Sequence, residues 1–342
     1  EGSYTFQLMA RNNDGIWNSK PVELKFEISI PFYKKTWVQV LSAIVFIVLV
    51  YLVVLWRTRS LVRARELLRR LVEEKTIQLK REKEIVESIK SVLEEKNKDI
   101  TDSINYAKRI QEAILPSQAA ILKNFPDSFI YYRPKDIVSG DFYWFAEAED
   151  HFFIAAVDCT GHGIPGAFMS LIASTLLNEI VKNKKELIPS QILQSINTGI
   201  IESLKQSDSD SSSRDGMDMA ICRVDKKKSK LVFAGAARPF YHIRDKYLTE
   251  IKGQGYPIGG HYGLRNLKYS DSEIELQPGD VFYISSDGYA DQFKGGDRKK
   301  FSTKRLKGLL QEISALPMKK QQELLNNAFE EWRGEERQID DI

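Results

Sequence analysis

Twenty residues constrain this chain more than any others. From Trp37 to Trp56, 18 of 20 positions are apolar or aromatic, interrupted only by Gln39 and Ser42. As a helix rising about 1.5 Å per residue, the run spans the ~30 Å hydrocarbon core of a bilayer. Trp37 and Trp56 stand at the ends, where amphipathic rings favour the headgroup level. The stretch is too long and too uniformly apolar for an ordinary core helix. It also lacks the small-residue cleavage site of a signal peptide, and arginines follow it directly. The expectation is a single transmembrane helix at 37–56. Residues 57–71 carry six Lys and Arg against three in 22–36, so the C-terminal side should be cytoplasmic and the N-terminal side extracytoplasmic. Elsewhere the composition excludes other classes. With 28% charged and 42% hydrophobic residues the chain is neither disordered throughout nor a polytopic membrane protein. A net charge of +3 speaks against a dedicated nucleic-acid binder, so no nucleic-acid partner is expected. Cys159 and Cys222 are too few for a disulfide scaffold.

Two segments ahead of the span alternate with period two. Tyr4, Phe6 and Leu8 form one; Val22, Leu24, Phe26, Ile28 and Ile30 form the other, with the turn residues Asn12-Asn13-Asp14-Gly15 between them. This is a hairpin, and a lone hairpin is marginal in water. The chain opens on Glu1, and 1–31 is expected to be the end of a larger extracytoplasmic β-domain. The string YTFQLMARNNDGIWN resembles the closing strands of the Y_Y_Y domain, an immunoglobulin-like module set before the membrane in bacterial sensors.

Residues 57–115 contain no proline and no glycine. Leu61, Ala64, Leu68 and Leu71 run at 3-4-3 spacing, and Ile85, Ile89 and Val92 keep that phase. Val86, Leu93, Ile100, Ala107 and Ile114 then repeat every seven residues on a slightly rotated seam. The pattern predicts a cytoplasmic coiled-coil linker, parallel because both chains would leave the same membrane face, and hence a homodimer. Lys75, Glu82, Lys96 and Ser103 interrupt the seam and weaken it. A solvated single helix is the second reading. Pro116 ends the helix.

Residues 117–342 alone are numerous enough for a sizeable core. Strand-like runs are expected at Phe129–Arg133, Phe142–Ala148 and Phe152–Val157. Helices follow at Gly166–Asn183 and Ser190–Lys205, then four or five strands within 217–286, including Met219–Val224, Lys230–Ala234 and Val281–Ser285. Helices at Ser302–Ile313 and Met318–Arg333 close the order. Strands, paired helices and more strands predict a layered α+β domain. The segment Ser207–Arg214 reads as a mobile surface loop. No Gly-x-Gly-x-x-Gly or Walker A pattern supports a nucleotide cradle. Nor does a His-Glu phosphoacceptor helix with a glycine-rich ATP lid follow the linker, which disfavours a histidine kinase.

Four aspartates fall at the ends of apolar strands, two of them directly beside glycine: Asp141, Asp158, Asp287 and Asp340. Singly, each is ordinary turn chemistry. Together, without a Cys or His ligand set, they suit hard oxygen-loving cations such as Mg²⁺ or Mn²⁺. In the order SGDFYW, DCTGHGIPGAFMS, SSDGYAD and a final DDI, the chain resembles the SpoIIE/RsbU-type serine/threonine phosphatases, the bacterial branch of the metal-dependent type-2C (PPM) enzymes. The resemblance covers nearly all of 117–342. It implies a type-2C-like β-sandwich flanked by helices, and two ions bridged by Asp158 with help from the Cys159 carbonyl. It also makes Asp141, Asp287 and Asp340 further ligands, with Asp158 and Asp141 as the catalytic pair. In that family a strand follows the closing acidic pair; this sequence ends at Ile342, so the expectation is a domain lacking that last strand.

What the resemblance implies is a two-metal mechanism. Ions about 3.5–4 Å apart activate a water for in-line attack on a phosphoserine or phosphothreonine protein, commonly an anti-sigma-factor antagonist. The enzyme would sit in the bacterial inner membrane and answer to an extracytoplasmic sensor. The alternative from another class is a signalling scaffold whose phosphatase-like domain is inactive; retention of all four aspartates favours the enzyme. His162 is either a proton donor or a loop-shaping residue, with Gly161 and Gly163 easing close packing ahead of Pro165. Asp215 and Asp218 are expected at a turn and a strand start rather than on a third metal. Cys159 and Cys222 are expected inside the domain.

Overall fold

The computed structural model describes residues 2–207, 213–260 and 268–342. The chain divides into two compact units, Glu1–Glu94 and Glu95–Ile342. In the first, β1 (Gly2–Leu8) pairs antiparallel with β2 (Val22–Ile28), with Tyr4 opposite Phe26. Their rings stack at 5.9 Å. The turn is tied by the Asn12 side chain, whose Oδ1 accepts from the backbone N–H of Asp14 and of Ile16, the local chemistry that makes Asn a turn residue. Helix α1 runs without a break from Thr36 to Ile114, as a segment free of glycine and proline allows. It carries both the apolar run and the heptad seam. Exposed pairs such as Lys83–Glu87 and Lys90–Glu94 line it at i,i+4 spacing. Among the described residues, two helical segments are long and apolar enough to cross a membrane. The apolar window of the first, in Thr36–Asn124, is wholly unburied; that of the second, Gly163–Asn183, is half buried.

The second unit is built in layers. After α2 (Gln118–Asn124) come β3 (Phe142–Ala148), β4 (His151–Cys159), α3 (Gly163–Asn178), α4 (Pro189–Ser203), β5 (Gly216–Asp225) and β6 (Lys230–Ala236). Then follow β7 (Phe240–Arg244), β8 (Tyr247–Ile251), β9 (Ile258–Gly259), β10 (Ser272–Glu275) and β11 (Val281–Tyr283). The short helix α5 (Gly288–Asp291), the hairpin β12 (Phe293–Lys294) and β13 (Asp297–Lys300), and helices α6 (Thr303–Ile313) and α7 (Met318–Arg333) complete the order. One antiparallel sheet runs β10-β6-β5-β4-β3, with β9 on β5; a second runs β11-β7-β8. Alternation along β4 sends Phe153, Ala155 and Val157 into one core with Leu177 of α3 and Ile192, Leu193 and Ile196 of α4. Cys222, Phe233, Phe240 and Ile274 fill a second core that joins strands of both sheets. Tyr241, Tyr289, Leu306, Leu310 and Phe329 form a third, which packs β7 with α5, α6 and α7. The helix-flanked α+β sandwich expected from the sequence is what these residues build.

Several local expectations need correction. Phe129–Arg133 is not a strand: only Arg133 finds a ladder-like partner, exchanging two backbone hydrogen bonds with Ile342 at 2.8 and 3.1 Å. A period-two apolar pattern without a neighbour cannot make a sheet. Phe129 and Tyr131 instead line an apolar cavity of about 300 Å³, with Ile154 of β4 and Phe282 of β11 on its walls. Among the described residues seven strands, rather than four or five, lie between Gly216 and Tyr283. The strand expected over Val281–Ser285 stops at Tyr283. The helix expected from Gly166 starts at Gly163, ahead of Pro165, and its last turn, Glu179–Asn183, is a π-helix. The expected Ser207–Arg214 loop falls largely outside the described residues.

Candidate metal centre

The acidic residues meet because of strand register. In the β4–β5 ladder Asp158 lies directly opposite Asp218, one step from the pair Cys159 and Met217. In the β3–β4 ladder Phe142 pairs with Val157, which sets Asp141, immediately before β3, beside the end of β4. Asp287 follows β11 and caps α5 without a side-chain capping bond. The chain segment with Asp340 and Asp341 returns here: Asp341 is 1% exposed, and its carboxylate accepts from the backbone N–H of Lys135 at 2.7 Å and of Gly140 at 2.8 Å. Its carbonyl oxygen lies 1.9 Å from where a Cβ on residue 288 would stand, so Gly288 is required for the approach. A Cβ on residue 140 would likewise meet the Gly161 carbonyl at 2.4 Å.

The electrostatics show a shortage of positive charge. Asp141 is 6% exposed, and burial followed by the charge of Asp158 pushes its carboxyl up to about 9. Burial likewise raises Asp158 to about 7, against the pull of Arg238 and with repulsion from Asp287 and Asp218. Asp218 and Asp340 are also raised, mainly by burial. Burial holds the Cys159 thiol protonated, well above its ordinary value; as a side chain it is a buried apolar filler, like Cys222. Into this cluster comes Arg238 from the turn between β6 and β7. Its Nη2 lies 2.9 Å from Asp158, 2.9 Å from Asp218 and 2.6 Å from Asp287.

The sequence-named residues sort as follows. Asp141, Asp158, Asp287 and Asp340 come together at one end of the sandwich, and Asp218 joins them. Asp215 does not: it accepts from Ser213 Oγ at 2.9 Å, and its carbonyl oxygen accepts from Gln206. His162 lies in the loop ahead of α3, half exposed, with Nδ1 2.9 Å from Asp136. Sequence reasoning missed Arg238 and the supporting role of Asp341. No local spacing reports either. Among the described residues no three His, Cys, Asp or Glu side chains stand in a ready-made metal-holding arrangement. The donors nevertheless fit hard divalent cations: they are oxygens, they are crowded beyond what one guanidinium neutralises, and Arg238 Nη2 stands where three carboxylates already serve a positive charge.

Comparison with known proteins agrees with this geometry. Residues 148–342 match the family described as Stage II sporulation protein E (SpoIIE). Over 195 residues the chain is 24% identical to the phosphoserine phosphatase RsbU of Bacillus subtilis (strain 168), covering 56% of this chain and 54% of that protein. The chain thus spans about half the length of this curated relative. It also resembles the solved SiaA-PP2C domain of Pseudomonas aeruginosa, at 32% identity and a TM-score of 0.64, over 72% of this chain and 95% of that domain.

Proposed function

The chain belongs to the SpoIIE family, and from that membership we propose that it is a membrane-anchored, metal-dependent serine/threonine phosphoprotein phosphatase. The observation that carries the reading is the convergence of Asp141, Asp158, Asp218, Asp287 and Asp340 on one sandwich end, each held by a different strand or loop. Asp141, Asp158, Asp287 and Asp340 would hold Mn²⁺ or Mg²⁺, with the Cys159 carbonyl adjoining. Bound ions supply neutralisation of phosphoryl charge and a water of lowered pKa. The chain's own groups do the rest. Asp341 fixes the backbone that presents Asp141, through Gly140 N–H. Asp136 orients His162 through Nδ1 and leaves Nε2 to carry a proton for the leaving seryl or threonyl oxygen.

Anchoring rests on the unburied apolar run Trp37–Trp56 and on the arginines that follow it. Regulation through α1 is supported by Gln111, the only residue of that helix that is buried. Its Nε2 donates to the Ser139 carbonyl at 2.6 Å and to Ser170 Oγ of α3 at 2.7 Å, and its Oε1 accepts from Ser139 N–H. The last turns of α1 therefore grip the segment that leads into Asp141. We read 57–115 as a parallel coiled coil in a homodimer and 1–31 as the end of an extracytoplasmic Y_Y_Y-type sensor. The substrate class is a phosphoserine or phosphothreonine protein such as an anti-sigma-factor antagonist. The test is hydrolysis of a phosphoserine peptide by the purified chain with added Mn²⁺. Activity that survives EDTA, or Asp287→Asn turning over like wild type, would sink the reading.

A further inference from the structure

Arg238 is placed with more care than a surface arginine needs. Ala237 before it adopts a left-handed conformation, φ 56°, that a non-glycine residue rarely takes. Its N–H donates to the Gln254 carbonyl at 2.7 Å, and it bridges to Met219 of β5. Pro239 follows, and the Arg238 carbonyl lies 2.3 Å from where a Cβ on Gly235 would be. The backbone is thus locked, and its side chain enters the acidic cluster from one direction. The guanidinium itself is less firmly held. One nitrogen, Nη2, serves Asp158, Asp218 and Asp287 together, while the buried Nε has no hydrogen-bond partner. The guanidinium fork's directed bonds are two, both from Nη2, to Asp218 at 2.9 Å and to Asp287 at 2.6 Å; with Nε idle, exchange for another cation forfeits few of them.

We propose that Arg238 is a built-in competitor for the divalent cation: its guanidinium occupies the carboxylate trio Asp158, Asp218 and Asp287 in the metal-free protein and must be displaced when a divalent ion enters. The trio carries three negative charges against one positive. The guanidinium therefore offsets the repulsion among the carboxylates without neutralising it, and a doubly charged ion outcompetes it. This inference rests on the metal-site reading above. It adds that apparent metal affinity is set by a side chain that is not itself a ligand.

The test measures Mn²⁺ binding by isothermal titration calorimetry on the full chain in detergent, for wild type, Arg238→Ala and Arg238→Lys. Arg238→Ala should bind Mn²⁺ at least about tenfold tighter, the scale of one close charge pair. Its metal-free thermal midpoint should fall, and its rise on adding Mn²⁺ should exceed that of wild type. Millimolar guanidinium chloride should weaken Mn²⁺ binding to Arg238→Ala, by refilling the vacated place, and leave wild type unchanged. Should Arg238→Ala not fold without metal, Arg238→Lys decides: its ammonium lacks the fork, and it should bind Mn²⁺ tighter than wild type. Equal or weaker Mn²⁺ binding in the folded variants overturns the competitor role while the metal site stands. Absence of Mn²⁺ binding to wild type and variants alike overturns both.

Discussion

Two helical stretches of this chain pass the same test of length and apolarity, and the structure treats them oppositely. The window within α1 is unburied throughout, whereas the one that begins at Gly163 is half buried. In α3, Ala173 and Leu177 are fully covered by the sheet and α4; in α1, Val48, Leu49 and Val50 are about half exposed. Apolarity thus states a demand for cover and leaves open what supplies it. Side-chain shape separates the two cases. The α3 stretch mixes Gly, Ala, Ser and Thr with its larger residues, so it can lie close to a sheet on one side. The α1 stretch is bulky and β-branched all round, which suits lipid on every side. The comparison extends to chemistry, because the strand that leads towards α3 carries Asp158 near its end and nothing of the kind adjoins the α1 window.

The largest expected effect tests that division of labour. Asp158→Asn should lower Mn²⁺-dependent hydrolysis of a phosphoserine peptide by at least about 10²–10³-fold, the scale for losing one preorganised electrostatic group. Its far-ultraviolet circular dichroism should stay that of wild type. Turnover within a few-fold of wild type would place the chemistry elsewhere. The next effect is on stability. Leu177→Ala removes a fully buried side chain and should destabilise the domain by about 2–5 kcal/mol in urea denaturation. Val48→Ala, the same kind of truncation within the α1 window, should leave that transition where it is. Equal shifts from both would mean that α1 contributes to the domain's core.

How much of this was legible beforehand follows the same line. The aspartates at strand ends were readable because the signal is local: an acid at the end of an apolar run, with glycine adjoining Asp141 and Asp287. That five carboxylates share one place was not readable, since it depends on β4 lying against β5 in the register that sets Asp158 opposite Asp218. Arg238 was invisible for the same reason; its partners lie 20, 49 and 80 positions away in sequence. Gln111 looked like any polar residue of a charged helix until Ser139 and Ser170 were found around it. Phe129–Arg133 misled because alternation reports a suitable surface and says nothing of whether a neighbouring strand exists.

Charges sharpen the contrast further. In the domain, Asp280 is 4% exposed at its side chain and takes a bidentate pair from Arg244, Nε to Oδ1 at 2.9 Å and Nη2 to Oδ2 at 2.7 Å, with His242 3.0 Å away. The Arg244 hydrogen bond, above all, holds the Asp280 carboxyl far below the usual carboxylate range. A depressed folded value means that the stabilisation is fully present above the unfolded value of about 4 and is lost as pH falls below it. The domain's urea midpoint should therefore drop below about pH 4, and Arg244→Leu should flatten that limb while lowering stability near neutrality. Along α1, pairs such as Lys90–Glu94 are about 70% exposed and contribute ~0.3–0.5 kcal/mol each, screened by salt. An acid limb unchanged by Arg244→Leu would remove the difference between the two kinds of ion pair.

The smallest expected effect lies on the seam of α1. Lys96 occupies a position that the 3-4 apolar spacing through Leu71, Ile85, Ile89 and Val92 assigns to the interface of a coiled coil, and here it is exposed. If a second copy of this chain covers that seam, Lys96 opposes itself across the pair, and Lys96→Leu relieves the repulsion while adding apolar contact. Self-association of the chain in detergent should then tighten by roughly tenfold at most, the scale set by a single seam position of about 1.4 kcal/mol. The domain's urea transition should not move, because Lys96 touches none of its three cores. Arg81→Leu serves as the control: it lies off the seam, and the same gain in apolar surface there should leave association unchanged. Equal tightening by both variants would mean that added greasiness drives association indiscriminately. Unchanged association for Lys96→Leu would return the segment to a solvated single helix.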